Sequence, residues 1–80
     1  MQSENREILP GRHYRHFKGG LYEVVGIAIH TETEEKMVVY RAMYGQQLLF
    51  VRPYRMFAER LNRQEHPDAE QEYRFELVDA

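Results

Sequence analysis

"GIAIHTETEEKMVVYRAMYG", residues 26–45, is the stretch that decides the fold of this protein. Two runs rich in β-branched and aromatic side chains flank the polar segment HTETEE, residues 30–35. Such side chains favour strands because they pack well on a pleated surface. The polar segment has no apolar side chain to bury, so the pattern predicts a solvated turn between two antiparallel strands. The alternative is a site that gathers His30 and three carboxylates around a metal ion or a proton.

The metal alternative for HTETEE requires side chains that converge on one ion at about 2–2.6 Å. His30 and Glu32 are two residues apart and would share one face of a strand, whereas Glu34 and Glu35 fall where the chain turns. The spacing therefore favours a turn, and we expect no metal and no cofactor. An intermediate interpretation is that the His30 ring bonds to Glu32 or to the backbone and so fixes the turn.

The pattern on both sides of this stretch also predicts short strands. Gly19 and Gly20 suit a tight turn, and Gly26 inside an apolar run indicates a bulge or a bend. Pro53 ends one strand and can begin a short helix or 3₁₀ turn, with Met56, Phe57 and Leu61 near one side. The predicted strands lie within residues 12–18, 21–30, 36–44, 48–52 and 73–79.

These elements predict a mainly β fold, a small antiparallel SH3-like barrel of about five strands with one short helical turn before the last. An open sheet with a helix across it is the alternative. The segment LLFV, residues 48–51, is apolar on both faces, which favours closure. The helix, the N-terminal arm or a second chain could cover it. Residues 1–11 are predicted to be a flexible arm, and residues 12–80 a single domain.

The composition narrows the class of protein. Eighty residues suit one domain with a thin core. The absence of cysteine excludes disulfides and every thiolate metal site. No apolar run approaches the roughly 20 residues of a membrane helix, and the N-terminus lacks a signal-peptide pattern, so we expect a cytoplasmic protein without a membrane partner. The net charge of −2 implies no general affinity for nucleic acid, although residues 36–63 hold six basic side chains against one acid.

Several segments together carry a family resemblance, namely "YRHFKGGLYEVVGIAIHTETEEKMVVYRAMYG", "LFVRPYRMF" and "YRFE". They resemble the small bacterial proteins grouped as domain of unknown function 1653. The resemblance covers residues 10–76 and rests on motifs in a common order, among them Tyr-Arg-His-Phe-Lys-Gly, Val-Tyr-Arg and Val-Arg-Pro. It implies no catalytic residues, because the family is uncharacterised.

The aromatic and basic side chains suggest the first hypothesis for function. Six tyrosines and four phenylalanines are many for this length. In a small barrel such rings can line a groove that stacks on bases, or they can simply fill the core. We expect a non-catalytic binding module for nucleic acid or a segment of a larger protein. Its groove would be lined by Tyr40, Tyr44, Arg15, Arg41 and Arg52.

Two further hypotheses remain open. No nucleophile motif, HExxH or phosphate-binding glycine loop is present, so an enzyme is not expected. A small-molecule or metal-dependent activity around His30, Glu32 and Arg52 is the second hypothesis, although Arg52 can also brace the fold through Glu23 or Glu32. The third is a structural protein, a monomer or weak homodimer that pairs through an exposed strand edge or the outer face of the fourth strand. The candidate ligand-binding residues are Arg15, His30, Glu32, Tyr40, Arg41, Tyr44 and Arg52.

Overall fold

A computed structural model describes residues 6–78 of the chain. The sheet is antiparallel throughout, with the strand order β4-β3-β2-β1-β5. The prediction of a mainly β fold with a short helix before the last strand is confirmed. Among the described residues β4 and β5 are not paired, so the sheet stays open and "barrel" is a loose description. The elements are β1 (His13–His16), β2 (Leu21–Ile29), β3 (Lys36–Ala42), β4 (Leu49–Pro53), α1 (Tyr54–Phe57) and β5 (Phe75–Val78).

The β2–β3 hairpin carries the predicted bulge. The register places Val24 opposite Tyr40 and Gly26 opposite Val39, so Val25 has no partner on β3. An unpaired residue bends a strand and increases its twist. The bulge therefore curls the sheet, and it lets Val24 and Ile27 lie on the same face although they are three residues apart.

The HTETEE segment forms the turn of this hairpin, and its predicted exposure is confirmed. The His30 N–H donates to the Glu35 carbonyl at 2.8 Å, and the Glu34 N–H donates to the His30 carbonyl at 2.7 Å. Residues 30–34 are exposed and Glu35 is half-buried. Glu34 has a φ of 63°, so a non-glycine residue closes the turn in the left-handed region.

The core lies on one side of the curled sheet, called here the inner face. Phe57 of α1 packs against it, and its ring stacks on Phe75 with centroids 4.0 Å apart. Met56 was predicted to share this side, but it is 40% exposed. Neighbouring residues on a helix point about 100° apart, so a single turn buries only one of them. The buried core residues are Ile8, Tyr14, Val24, Val38, Tyr40, Ala42, Phe57, Ala58, Leu61 and Phe75.

The described part of the predicted arm, residues 6–11, packs on the domain. Ile8 is 2% exposed, and its N–H donates to the Tyr54 hydroxyl at 2.7 Å. The Arg6 guanidinium donates to the carbonyls of Ala58 and Phe75. Residues 1–5 of the predicted arm and residues 79–80 of the predicted domain lie outside the described residues. The boundary after residue 11 therefore stays a prediction.

The segment LLFV does not receive the predicted cover from the parts of the chain that the structure describes. Leu48, Leu49, Phe50 and Val51 are 41–59% exposed. Ile8 and Phe57 pack with Tyr14, Val24 and Val38 in the core instead. Within residues 6–78, no helix has the length and hydropathy to cross a membrane. A cytoplasmic location stays a prediction.

Candidate functional site

A cleft of about 630 Å³ opens where the β1–β2 turn meets the residues that follow β3. The Met43 N–H donates to the Leu21 carbonyl at 2.9 Å, which holds residues 43–44 beside the start of β2. On the opposite wall, the Gly19 N–H donates to the His16 carbonyl and tightens the turn. The cleft is lined by His16, Lys18, Gly19, Gly20, Leu21, Tyr22, Met43 and Tyr44.

Two tyrosines meet in this cleft. The hydroxyl oxygens of Tyr22 and Tyr44 are 2.5 Å apart, and their rings pack edge to face with centroids at 5.6 Å. Burial, together with the hydrogen bond to Tyr44, raises the pKa of Tyr22 to about 12, so this hydroxyl keeps its proton at neutral pH. One hydroxyl donates to the other, which leaves the second O–H group free to donate to a ligand.

Gly20 allows the two rings to close over the turn. A Cβ atom at this position would lie 3.0 Å from Cε1 of Tyr22 and 3.2 Å from Cε2 of Tyr44. Contacts this short would displace one of the rings. The lack of a side chain at Gly20 therefore lets the two rings approach the turn closely, and the Gly19-Gly20 pair that predicted a turn also shapes the cleft.

His16 ends β1 on the inner face. Its Nδ1 accepts the Lys18 N–H at 3.1 Å. Burial lowers the pKa of His16 to about 4, and the positive charges of Arg52, Arg74 and Lys18 act in the same direction. The ring is therefore neutral at pH 7, and because Nδ1 is the acceptor its proton lies on Nε2. His16 can donate one hydrogen bond to a ligand.

Arg52 supplies positive charge behind the cleft. Its Nε donates to the Tyr40 hydroxyl at 3.2 Å, and its guanidinium carbon lies 5.2 Å from the centroid of the Phe75 ring. Among residues 6–78 no carboxylate pairs with Arg52, so the predicted brace through Glu23 or Glu32 is not formed. Arg52 lies on the inner face, because Val38, its partner on β3, is fully buried there. This position explains why Arg52 forms no ion pair with Glu23 or Glu32.

The comparisons with known proteins agree on one family. The family model "Protein of unknown function (DUF1653)" matches residues 12–77. The chain belongs to this family. It is similar to the crystal structure of a DUF1653 protein from Bordetella bronchiseptica, with 32% identity and a TM-score of 0.72 over 90% of this chain and 88% of that one. No protein of curated function matches it.

In this DUF1653 protein, the five residues of the predicted groove lie on both faces of the sheet. Tyr44 lines the cleft, and Arg52 stands behind it on the inner face. Tyr40 is 6% exposed, so its ring is not accessible to a ligand. Its hydroxyl accepts a hydrogen bond from Arg52. Arg15 and Arg41 alternate with buried or half-buried inner-face residues and so lie on the outer face. Ligand binding by these two arginines stays a prediction without support from their placement.

His30 and Glu32 lie in the β2–β3 turn, and the intermediate interpretation of the histidine is confirmed. Its Nδ1 accepts the N–H of Glu32 at 3.1 Å and of Thr33 at 3.4 Å, so the ring fixes the turn. Within residues 6–78 no three metal-binding side chains lie close enough to hold an ion. An activity around His30, Glu32 and Arg52 stays a prediction, and no contact among them supports it.

The candidate ligand-binding residues chosen from the sequence do not include three residues of the cleft, His16, Lys18 and Tyr22. Strand alternation was the available signal for two of them. His16 shares a face with Tyr14, and Tyr14 pairs with Tyr22 in the register of β1 and β2. Only the hairpin register, however, shows that this face is the inner one.

Proposed function

We propose that this DUF1653 protein is a non-catalytic module that binds single-stranded nucleic acid in the His16–Tyr44 cleft. One phosphate would lie beside Lys18 and His16, and one base would stack on Tyr44. The observation that carries the proposal is the chemistry of the lining: it holds hydrogen-bond donors, basic charge and rings, and no carboxylate.

The donors of the cleft match an acceptor-only anion. The Lys18 ammonium, the Nε2–H of His16 and the spare hydroxyl of the tyrosine pair can all donate, and phosphate oxygens only accept. Arg52 and Arg74 add positive charge nearby, although Arg74 is paired with Glu59 at 2.7 Å. Phosphate is therefore a better match than any cation or neutral amide.

The exposed ring distinguishes nucleic acid from an acidic peptide. Tyr44 lines the cleft and is 52% exposed, so a base can lie flat against its ring. A carboxylate side chain would meet the same donors but would leave this ring uncovered. A volume of about 630 Å³ accommodates one nucleotide, which predicts weak binding with little sequence preference.

The titration state of His16 supports a binding role rather than catalysis. A general base is most effective when its pKa lies near the working pH. Burial and three neighbouring cations hold the pKa of His16 at about 4, so the ring gains a proton poorly at neutral pH.

A second cleft, of about 680 Å³, suits a nucleic acid less well. It is lined by Arg6, Glu7, Ile8, Pro10, Ile27, Lys36 and Tyr54. The Glu7 carboxylate repels phosphate there. Lys36 packs over the Tyr54 ring at 4.6 Å, so the aromatic face is already occupied.

Titration of the ¹⁵N-labelled protein with dT and rU hexamers tests the proposal. The amide signals of residues 18–22 and of Met43 and Tyr44 should shift. Affinity should fall about two- to threefold between 50 and 200 mM NaCl, because one phosphate is neutralised. Affinity for the hexamers that does not change with salt concentration would contradict the proposal. So would a hexaglutamate peptide that binds more tightly than either hexamer.

Matched variants separate the cleft from general charge. Lys18→Ala should weaken binding and flatten its salt dependence, because one phosphate contact is lost. Tyr44→Ala should weaken binding by roughly 5- to 100-fold through lost stacking. Lys36→Ala removes the same charge at the other cleft and should change little. Equal losses for Lys18→Ala and Lys36→Ala would mean that net charge, and not this cleft, governs binding.

A further inference from the structure

Arg52 is a half-buried cation that forms no ion pair within residues 6–78. Its Nε donates to the Tyr40 hydroxyl, but its two terminal nitrogens have no hydrogen-bond partner in that part of the chain. Every buried side-chain nitrogen there has a partner, so the terminal nitrogens of Arg52 are accessible. A guanidinium in this state can donate strong, charge-assisted hydrogen bonds to an anion.

Phe75 brings Arg52 and His16 together on the inner face. The guanidinium carbon of Arg52 lies 5.2 Å from the centroid of the Phe75 ring, and the centroid of the His16 ring lies 4.9 Å from it. The Nε2 of His16 also has no partner among the described residues and is accessible. Because His16 lines the cleft, the charge of Arg52 acts on the place where the phosphate is proposed to bind.

The cleft has more positive charge than one phosphodiester neutralises. Lys18 lines it and Arg52 adjoins it, and neither pairs with a carboxylate in the part of the chain that the structure describes. A phosphodiester inside a strand carries one negative charge and two free oxygens. A phosphomonoester carries about 1.5–2 negative charges at pH 7 and has three free oxygens. The monoester therefore matches two unpaired cations better.

We propose that the preferred ligand of the cleft is a phosphomonoester nucleotide, either the phosphorylated end of a single strand or a free nucleotide. The inference rests on the proposed function, because it assumes that a nucleotide binds in the His16–Tyr44 cleft. Lys18 and His16 would donate to the phosphate oxygens. Arg52 would compensate the second negative charge from the side of His16, while the base stacks on Tyr44.

The size of the cleft is consistent with this ligand. A volume of about 630 Å³ accommodates one nucleotide. An internal nucleotide needs room for the strand to continue on both sides. A terminal nucleotide continues on one side only, and a free nucleotide on neither.

Binding of dT hexamers that carry a 5′-phosphate, a 3′-phosphate or hydroxyls at both ends is the first test. At about pH 7.5, one phosphorylated hexamer should bind roughly tenfold more tightly than the hydroxyl hexamer, because a charge-assisted hydrogen bond is gained. The thymidine monophosphate with its phosphate at the same position separates the two sources. Affinity equal to that of the hexamer assigns the cleft to free nucleotides, and weaker affinity assigns it to strand ends; both results support the proposal.

The pH dependence of this preference is a test that needs no substitution. The second pKa of a phosphomonoester is about 6, so lowering the pH from about 7.5 to about 5.5 removes most of the second charge. Over this range lysine and arginine stay cationic, glutamate stays anionic and tyrosine stays neutral, and the pKa of His16 is about 4. The charged and titratable groups around the phosphate are Lys18, Tyr22, Tyr44, Arg52 and Arg74 with its partner Glu59.

The affinity ratio of the phosphorylated to the hydroxyl hexamer should therefore fall about three- to fourfold over this pH range. The ring of His66 packs on Phe17, with centroids 4.6 Å apart, and histidine titrates in the same range. Any charge that His66 gains acts on both hexamers, so the ratio and not the separate affinities is the measurement.

Arg52→Gln should reduce the preference for the phosphorylated hexamer to less than about threefold, because the second charge loses its counter-charge. Arg41→Gln removes the same charge on the outer face and should keep the tenfold preference. The pH series decides the question even if Arg52→Gln, which loses the hydrogen bond to Tyr40, fails to fold.

Equal affinities for the three hexamers, together with the expected loss in Lys18→Ala, would overturn this inference and leave the proposed function standing. A preference that stays constant with pH would also overturn it, as would equal losses of preference in Arg52→Gln and Arg41→Gln. Failure of every hexamer to bind would contradict the proposed function itself, and this inference with it.

Discussion

His16 illustrates how surroundings define a residue's role. Its sequence neighbours predict only a short strand. In the fold, the ring packs edge to face on Phe75, with centroids 4.9 Å apart, and three basic groups act on it. Burial and these charges keep it neutral, which makes it a donor in the cleft rather than a cation.

The stability of the protein should therefore depend on pH through His16. Its pKa is about 4 in the folded state, against 6.5 for a fully solvated histidine, so between these values the unfolded chain binds the extra proton. The free energy of unfolding should fall as the pH drops from 6.5 towards 4. His16→Asn keeps an acceptor for the Lys18 N–H and cannot be protonated.

Urea denaturation of both proteins at several pH values between 4 and 7 measures this contribution. The wild type should lose about 1–2 kcal/mol more than His16→Asn over the range, a value reduced because the ring is partly solvated. The difference between the two proteins cancels the titration of the shared carboxylates. A constant difference at every pH would show that His16 does not titrate as proposed.

At the scale of elements, the β2–β3 hairpin combines a favourable pattern with an unfavourable turn residue. The strands pair over seven positions, and the bulge at Val25 bends them. The turn nevertheless places Glu34 at a φ of 63°, a region that side chains other than glycine disfavour. The sequence holds no glycine there, so the strands impose the turn.

Glu34→Gly should stabilise the protein by about 0.5–1 kcal/mol, because glycine adopts this conformation without a steric penalty. Chemical denaturation provides the measurement. Glu34→Ala is the matched control, since it removes the same charge and keeps the disfavoured backbone. Equal effects of the two substitutions would attribute the gain to reduced repulsion among the glutamates of the turn.

At the scale of the whole molecule, the open sheet is completed by segments distant in sequence. Ile8, α1 and β5 meet on the inner face, where Tyr54 accepts a hydrogen bond from the Ile8 backbone. The rings of Phe57 and Phe75 stack at the centre of this assembly. Ile8, which precedes β1, therefore belongs to the core.

Ile8→Ala should destabilise the protein by about 2–5 kcal/mol, because it leaves a cavity at a buried site. Ile29→Ala makes the same substitution at a residue that is 59% exposed and should cost less than about 1 kcal/mol. Thermal or chemical unfolding of the two variants checks the comparison. Similar losses would show that residues 6–11 do not contribute to the core.

Sequence patterns alone determined most of the elements. β-Branched runs, paired glycines and Pro53 predict five strands, a bulge at Gly26 and a short helix, because these are consequences of local sterics and of period-two alternation. The exposure of HTETEE follows from its lack of apolar side chains. Tyr44 and Arg52 could be selected as candidates because aromatic and basic side chains can line a binding groove.

Tertiary structure alone decided which candidates meet. The alternation of side chains along a strand predicts that Arg15 and His16 lie on opposite faces of the sheet. Only the curl of the sheet makes one face the core and brings Arg52 near Phe75. The register between distant segments buries Tyr40, joins Tyr22 to Tyr44 and, among residues 6–78, leaves one edge of β4 unpaired. These outcomes depend on contacts between residues far apart along the chain, and local propensity carries no information about them.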